Sequence, residues 1–472
     1  MIMSDEHSHQ AMGCAGHPIV KTPVLDRLAQ EGALFSNCYT PSPLCTPARA
    51  SFFTGRYVHE LGTWDNATPY DGRLTGISQH LHAHGESMTS FGKLDLHPNG
   101  IYEGLDATMS VPRVHAQVES CFRGERIDIG LEKRFDLMGY RDGECFDDKV
   151  RDKALAWLES RKGGSQPWVL YVGFMDPHFP FFAEKERWDQ YEPLVTDIPE
   201  TAKGPFTKLN EPLRQLRNHF RGDYAVDSLV RKAHIGYYAL TARLDENVGA
   251  IWDKLKELEM EEDTLIIYTS DHGEQLGHHG LWWKCCMYEE SVHVPLILKG
   301  PGVKKGSVVD APVSLVDIFP TICDARGMAA PTNAAGSSLL PLARGDADPV
   351  RPDFAFSEYH AHGVPTGMYM IRWRQWKFVY YVGYAPQLFN LEEDPEEKND
   401  LVPAAEGSPM LREVLVSCEE RLRQLCDPEK VSERALRFQK NLKEKWGLKP
   451  DFSHPKVEEI PHPVSIDEAE VG

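Results

Sequence analysis

The sequence predicts an α/β fold, a mostly parallel central sheet covered by helices on both faces, followed by a smaller C-terminal α+β domain with an antiparallel sheet. Three features of the sequence carry this. Runs such as Pro167-Trp-Val-Leu-Tyr-Val-Gly-Phe and Asp263-Thr-Leu-Ile-Ile-Tyr-Thr are apolar throughout, as strands buried on both faces are. Each follows a segment of helical period: Ala154, Trp157 and Leu158 before Gly163-Gly164, then Leu240, Leu244, Val248, Ile251 and Leu255. After Leu339-Leu-Pro-Leu-Ala-Arg-Gly-Asp the pattern changes. Met368 to Tyr381 reads as a hairpin of aromatic and β-branched residues around Arg372-Trp-Arg-Gln, and Met410 to Leu425 as an amphipathic helix.

These elements divide the chain into a catalytic α/β domain over 1–346, an α+β domain over 347–449, and a Pro- and Glu-rich arm or tail over 450–472. The length of 472 residues allows two domains, and 41% hydrophobic with 26% charged residues suits a protein with a substantial core. No repeat of solenoid or propeller period is present.

Charge excludes some functions. A formal net charge of -20 argues against sequence-independent nucleic-acid binding, which needs a basic face. If the ligand is an anion, a few placed cations must work against a repulsive overall field. No run reaches the ~18 apolar residues of a membrane span, so no membrane partner is expected. The N-terminus lacks a basic stretch followed by an apolar one, so the expected location is cytoplasmic. The chain opens on what reads as the end of a first strand, so an upstream piece is also expected. Ten cysteines fall without the spacing of a disulfide scaffold or a zinc knuckle.

In open α/β sheets ligands bind beyond the carboxyl ends of strands. Ser270-Asp271-His272-Gly273 sits at such a tip, and Asp5, after Met1-Ile-Met-Ser, occupies the same kind of position. Carboxylate and imidazole at neighbouring tips would make a metal site.

Cys45-Thr46-Pro47-Ala48-Arg49 followed by Thr54-Gly55-Arg56 is the most specific element, a C-x-P-x-R…TGR pattern. It resembles the signature of the type I, formylglycine-dependent sulfatases of the alkaline phosphatase superfamily. Gly16 to Ala29, Ser270 to Lys284 and the run LFNLEEDPEEKNDL extend the resemblance over most of the chain, most weakly over 98–147. The pattern is nearest to choline-sulfatase-like and iduronate-sulfatase-like members. The resemblance implies hydrolysis of a small organic sulfate ester, with Cys45 oxidised to formylglycine by a formylglycine-generating enzyme. The hydrated aldehyde would attack sulfur with one hydroxyl and expel sulfate through the other.

Position by position, the resemblance makes Asp5, Asp271, His272 and the oxidised Cys45 metal ligands. Glu6 occupies the place of a second acidic or amide ligand, its longer side chain leaving that role open. Hard oxygen donors suit Ca²⁺ first and Mn²⁺ second. Arg49 would hold the gem-diol, Lys93 and Lys284 the sulfate oxygens, and His178 the leaving alcohol. A second family histidine normally follows the glycine-lysine pair by two or three positions. Here the chain reads Lys93-Leu-Asp-Leu-His97, so either Asp95 or His97 takes that role. Asn66, His360 and His362 are candidate substrate contacts, while His80 and His293 read as structural.

Phosphonate monoester or phosphodiester hydrolysis is the alternative within the same superfamily. A non-catalytic anion-binding protein and two-zinc phosphatase or phosphomutase chemistry fit less well, because Cys45 and Arg49 are both present. The C-terminal helix and arm are candidates for mediating a homo-oligomer.

Overall fold

The computed structural model describes residues 1–97, 100–108, 118–125, 131–143 and 145–450. The 451–472 part of the expected tail, and parts of the 98–147 region, lie outside the described residues. The described residues include an eight-stranded sheet from β1 (Ile2–Asp5), β2 (Ala33–Phe35), β3 (Met88–Gly92), β4 (Leu105–Thr108), β5 (Val169–Pro177), β6 (Ile266–Ser270), β7 (Leu296–Lys299) and β8 (Ser307–Val309). Their spatial order is β8-β2-β7-β6-β1-β5-β3-β4, with β7 antiparallel to both neighbours and every other pairing parallel.

Both sheet faces are buried, and the period of two sorts side chains between them. Ile2, Phe91, Val172, Tyr268 and Ile297 meet Leu25, Val150, Ala154, Leu244, Val248 and Leu255 from the helices Pro23–Glu31, Phe146–Glu159 and Asp227–Glu257. Met3, Met88, Tyr171, Ile267 and Leu296 instead meet Phe52, Phe53, Ile77, Leu81, Ile318 and Phe319 from the helices Cys45–Thr54, Ile77–Ala83 and Ile318–Ala325. The helical period read over residues 240–255 is the second half of a 31-residue helix.

Strand order sets up the site. β1 is flanked by β5 and β6, with Ile2 paired to Val172 on one side and to Tyr268 on the other. The ends of β1 and β6 therefore lie side by side, which places Asp5 next to Asp271. Glycine closes the other flank: a Cβ on Gly92, whose φ is +87°, would stand 2.1 Å from the Gly173 carbonyl oxygen. Only glycine permits that approach, which delivers Lys93 at the same sheet end through its N–H bond to Gly173 O at 2.9 Å.

The C-terminal antiparallel sheet runs in chain order through Phe354–Tyr359, Met368–Trp373, Trp376–Tyr381 and Gln387–Asn390. The hairpin closes over Arg374 and Gln375, with Trp373 opposite Trp376. Two helices pack on it. Pro409–Leu425 matches the sequence pattern, and Pro428–Trp446 is an addition to it. Ser408 and Asp427 cap them, their side chains accepting the Leu411 and Lys430 N–H groups. This sheet and its helices share a core with Val58, Trp64 and Ala67, which follow the Cys45 helix. Among the described residues no helix is long and apolar enough to cross a membrane.

Candidate active site

Cys45 is the first residue of a helix whose ten residues are all buried. Leu44, the residue before it, has no side-chain acceptor, so the helix start needs an external cap. Asn66 supplies it: its Oδ1 accepts the Thr46 N–H at 3.0 Å. The predicted substrate contact Asn66 thus fixes the helix end that carries Cys45. At the other end Gly55, φ +66°, returns its N–H to Ser51 O.

The helix start points at the sheet end. Cys45 Sγ lies 3.2 Å from His272 Nε2 and 3.8 Å from Asp5 Oδ1. One ligand atom from each of Asp5, Cys45, Asp271 and His272 falls within 4.8 Å of the others, and all four residues are buried. His272 Nδ1 lies 3.0 Å from Gly273 O. That carbonyl can only accept, so Nδ1 carries the proton and Nε2 turns its lone pair toward the cluster. Asp271 Oδ1 accepts the Glu6 and His272 N–H groups at 3.2 and 2.9 Å. Two carboxylates and an imidazole lone pair, converging in a buried space, fit a hard divalent cation.

Arg49 lies one helical turn after Cys45 and is fully buried. Its Nε donates to Asp271 Oδ2 at 2.8 Å, and Nη1 donates to Lys93 O and Tyr171 Oη at 2.6 and 2.8 Å. Nη2 donates to Ser4 O at 3.4 Å. One planar group thus joins β1, β3, β5 and β6 to the helix, a fork lysine cannot copy.

Lys93 ion-pairs with Asp5 Oδ2 and stands 3.5 Å from Asp95 Oδ2. Burial opposes ionisation of Asp5, but Lys93, then His178, Arg49 and His272, overcome it and hold the carboxyl well below its usual range. Asp95, at φ +59°, also reaches within 4.0 Å of Arg49 Nε. His97 is held through its backbone, N–H to Tyr70 O and carbonyl to Tyr102 Oη. Of the two alternatives, the structure brings Asp95 to the cations of the centre.

A second group lies beside the first. Lys284 Nζ is 2.9 Å from His178 Nε2 and 3.0 Å from Glu6 Oε1, with His178 Nε2 3.2 Å from Glu6 Oε2. His178 Nδ1 bonds Phe179 O, which leaves Nε2 facing this pair. Burial disfavours the Glu6 anion, yet His178 and then Lys284 hold its carboxyl below the usual range. Glu6 therefore pairs with Lys284 and His178 and stands outside the four-residue cluster. Its side chain is one methylene longer than aspartate and leaves a backbone at φ +68°, which carries the carboxylate past the cluster.

The two C-terminal histidines have different surroundings. His360 Nε2 lies 2.8 Å from Glu358 Oε2, and the ring meets Trp64 edge-on, a buried structural position. His362 stacks on His219 at 4.9 Å between ring centres and feels the charge of Lys284. Of the pair, His362 is the one whose basicity the charge of Lys284 also lowers.

Three participants had no sequence motif. Tyr171 is one alternating residue in an apolar strand, yet its hydroxyl accepts from Arg49 and donates to Lys93 O at 2.8 Å. The Ser4 contribution is a backbone carbonyl. Glu274 is buried and accepts the Leu276 and Trp283 N–H groups at 2.8 Å each, bracing the loop that carries Lys284. Its place two residues after His272 was the available signal.

A buried carboxylate-imidazole cluster at the strand ends of a helix-covered sheet, with a nucleophile on a helix start and two lysines nearby, defines a hydrolase of anionic esters. The family model described as Sulfatase matches residues 1–328, and that described as N-sulphoglucosamine sulphohydrolase, C-terminal, matches residues 277–427. Arylsulfatase K of Canis lupus familiaris is 30% identical over 480 residues, covering 94% of this chain and 85% of its own. Choline-sulfatase of Rhizobium meliloti (strain 1021) is 31% identical over 427 residues, covering 86% and 82%. A structure solved in complex with its substrate D-glucosamine-2-N,6-O-disulfate superposes with a TM-score of 0.76 at 23% identity, over 91% of this chain and 98% of that one. The phosphonate monoester hydrolase of Agrobacterium radiobacter superposes at 0.72 and 23%, over 90% and 94%. The chain belongs to the sulfatase family, and it is a sulfuric ester hydrolase.

Proposed function

We propose that this enzyme cleaves a small organic sulfate ester through an oxidised Cys45 and a divalent cation, Ca²⁺ before Mn²⁺. The observation that supports it most is the convergence of Asp5, Asp271 and His272 on Cys45 at the end of β1 and β6. Oxidised to formylglycine, Cys45 supplies a hydrated aldehyde, one hydroxyl of which attacks sulfur while the other later expels sulfate. Asp5, Asp271 and His272 would hold the cation, whose charge favours the ionised hydroxyl and offsets charge on the sulfate.

The remaining work falls to side chains already placed. Lys93 and Lys284 bind sulfate oxygens and stabilise charge that grows as the S–O bond breaks. His178, with Nε2 beside Lys284, protonates the leaving alcohol. Glu6 holds that lysine and histidine together, and Arg49 fixes Asp271 and the Lys93 turn. Asp95, beside Lys93, is placed to take the proton when the hydrate collapses.

Cys45 is 3% exposed within a fully buried helix, so an oxidising enzyme must reach it before the domain closes. A formylglycine-generating enzyme acting on the unfolded chain is the partner this reading requires.

The test is a substrate panel. Wild-type enzyme should release sulfate from phenyl and alkyl sulfates, and Cys45→Ala should abolish it. Turnover of phenyl phosphonate esters or phosphodiesters with sulfates left intact would favour the phosphonate reading instead.

A further inference from the structure

A further cation, packed on the residue before Lys284, has no work in the steps above. Arg134 lies in the 3-10 turn Leu131–Asp136, and its guanidinium carbon sits 5.3 Å from the Trp283 ring centre. Trp283 immediately precedes Lys284. Its ring also packs on Phe179 at 5.8 Å, the residue after His178, and on Phe220 at 5.0 Å. One aromatic floor therefore carries Arg134 and braces both Lys284 and His178.

Arg134 differs from the other enclosed arginines of the chain. Arg49 is held by Asp271, Arg243 by Asp176 at 2.7 Å, and Arg351 by Asp317 at 2.7 Å. Among the described residues the Arg134 side chain makes no hydrogen bond and no ion pair, although it is only partly exposed. A guanidinium carries five donors that cannot be switched off by deprotonation, so those of Arg134 remain open to a ligand. The charged groups that feel it are Glu119 and Glu6. Glu6 is already engaged by Lys284 and His178. The charge of Arg134 also acts on the stacked rings of His219 and His362, whose basicity is lowered first by burial and then by the positive groups nearby. Arg134 thus offers donors with no protein partner among the described residues, inside a protein of formal charge -20.

We propose that Arg134 binds a second oxyanion of the substrate, a carboxylate or a further sulfate, so that the preferred sulfate ester carries at least two negative charges. The fork of the guanidinium matches either group in bidentate fashion. This rests on the sulfatase reading and deepens it by giving the substrate class.

The experiment compares kcat/KM for phenyl sulfate, 3- and 4-carboxyphenyl sulfate and phenyl-1,3-disulfate, using the full chain with its oxidised Cys45. Wild-type enzyme should prefer at least one dianion over phenyl sulfate by about ten-fold or more. A preference for the carboxylates names carboxylate as the second group, and one for the disulfate names sulfate. The ratio of dianion to phenyl sulfate should fall to near one in Arg134→Gln, which keeps a polar stem over Trp283. In Arg134→Lys, which keeps charge without the fork, it should fall at least three-fold, and this variant carries the test if Arg134→Gln does not fold. Wild type without any dianion preference, or a ratio unchanged in the folded variants, overturns the proposal and leaves the sulfatase reading intact. Absence of sulfate release from every compound overturns both.

Discussion

Replacing Arg49 with lysine separates its geometry from its charge. The guanidinium serves Asp271, Lys93 O, Tyr171 and Ser4 O from one fully buried position. An ammonium group on a shorter, unforked stem keeps the positive charge and can satisfy one or two of these partners. At about 1.5–3 kcal/mol for each charged hydrogen bond lost, two losses amount to roughly 3–6 kcal/mol. The Lys93 turn and Asp271 would then lose their common brace. A misplacement on the order of 1 Å in Lys93 or Asp271 lowers turnover by about 10²-fold. Denaturant midpoints and kcat on phenyl sulfate, measured on the same Arg49→Lys preparation, read both effects. A variant within about 0.5 kcal/mol of wild type and within three-fold of its kcat would refute the claim that the fork, beyond its charge, builds the site.

Further predictions address separate parts of the site. Truncating His178 to alanine should cost about 10²-fold or more in kcat for an alkyl sulfate and much less for 4-nitrophenyl sulfate, whose leaving group needs no proton; equal losses on both would remove the acid role. Chelation with EDTA should abolish sulfate release and lower the thermal midpoint, and Ca²⁺ titrated back should restore both, with Asp271→Asn weakening the calorimetric affinity; metal-independent activity would contradict the ligand assignment. Burial opposes ionisation of Glu358, but His59 and then His360 overcome it and hold its carboxyl at about 2 against an ordinary 4.5. Because the folded value is depressed, that stability is present above pH 4.5 and disappears as pH falls toward 2. Glu358→Gln should therefore be less stable at neutral pH by up to about 3 kcal/mol, with the difference vanishing through that window in acid unfolding curves. A gap that stays constant from pH 7 to 2 would exclude this linkage. Asn66→Ala should cost about 1 kcal/mol as a lost cap and also lower kcat, since it frees the helix end that carries Cys45; stability loss with unchanged kcat would limit Asn66 to capping.

The sheet was legible because strands buried on both faces read as unbroken apolar runs and the intervening helices keep their period, so β5, β6 and the long helix before β6 stand out in the sequence. The reversed direction of β7 was not, since an apolar run carries no sign of its direction. Contiguous motifs gave the Cys45 helix, Asp271-His272 and Lys284, because close packing there requires fixed neighbours. Residues that act through one atom across the sheet were hidden: Tyr171 reads as one more core aromatic, and the Ser4 carbonyl leaves no side-chain trace. Sequence order places Glu6 beside Asp5, whereas its backbone turn and extra methylene direct it to Lys284 and His178. The setting of His360 was hidden for a related reason. Its distance in sequence from Glu358 is two residues, and that buried carboxylate engages its Nε2.

The most direct measurement is the mass of the tryptic peptide Leu28–Arg49 from active enzyme after thiol alkylation. It contains both Cys38 and Cys45, so one thiol serves as the internal control for the other. Oxidation of Cys45 to an aldehyde predicts alkylation at Cys38 alone and, at position 45, a mass about 18 Da below that of cysteine. Two alkylated cysteines in preparations that hydrolyse phenyl sulfate at full rate would contradict the aldehyde nucleophile.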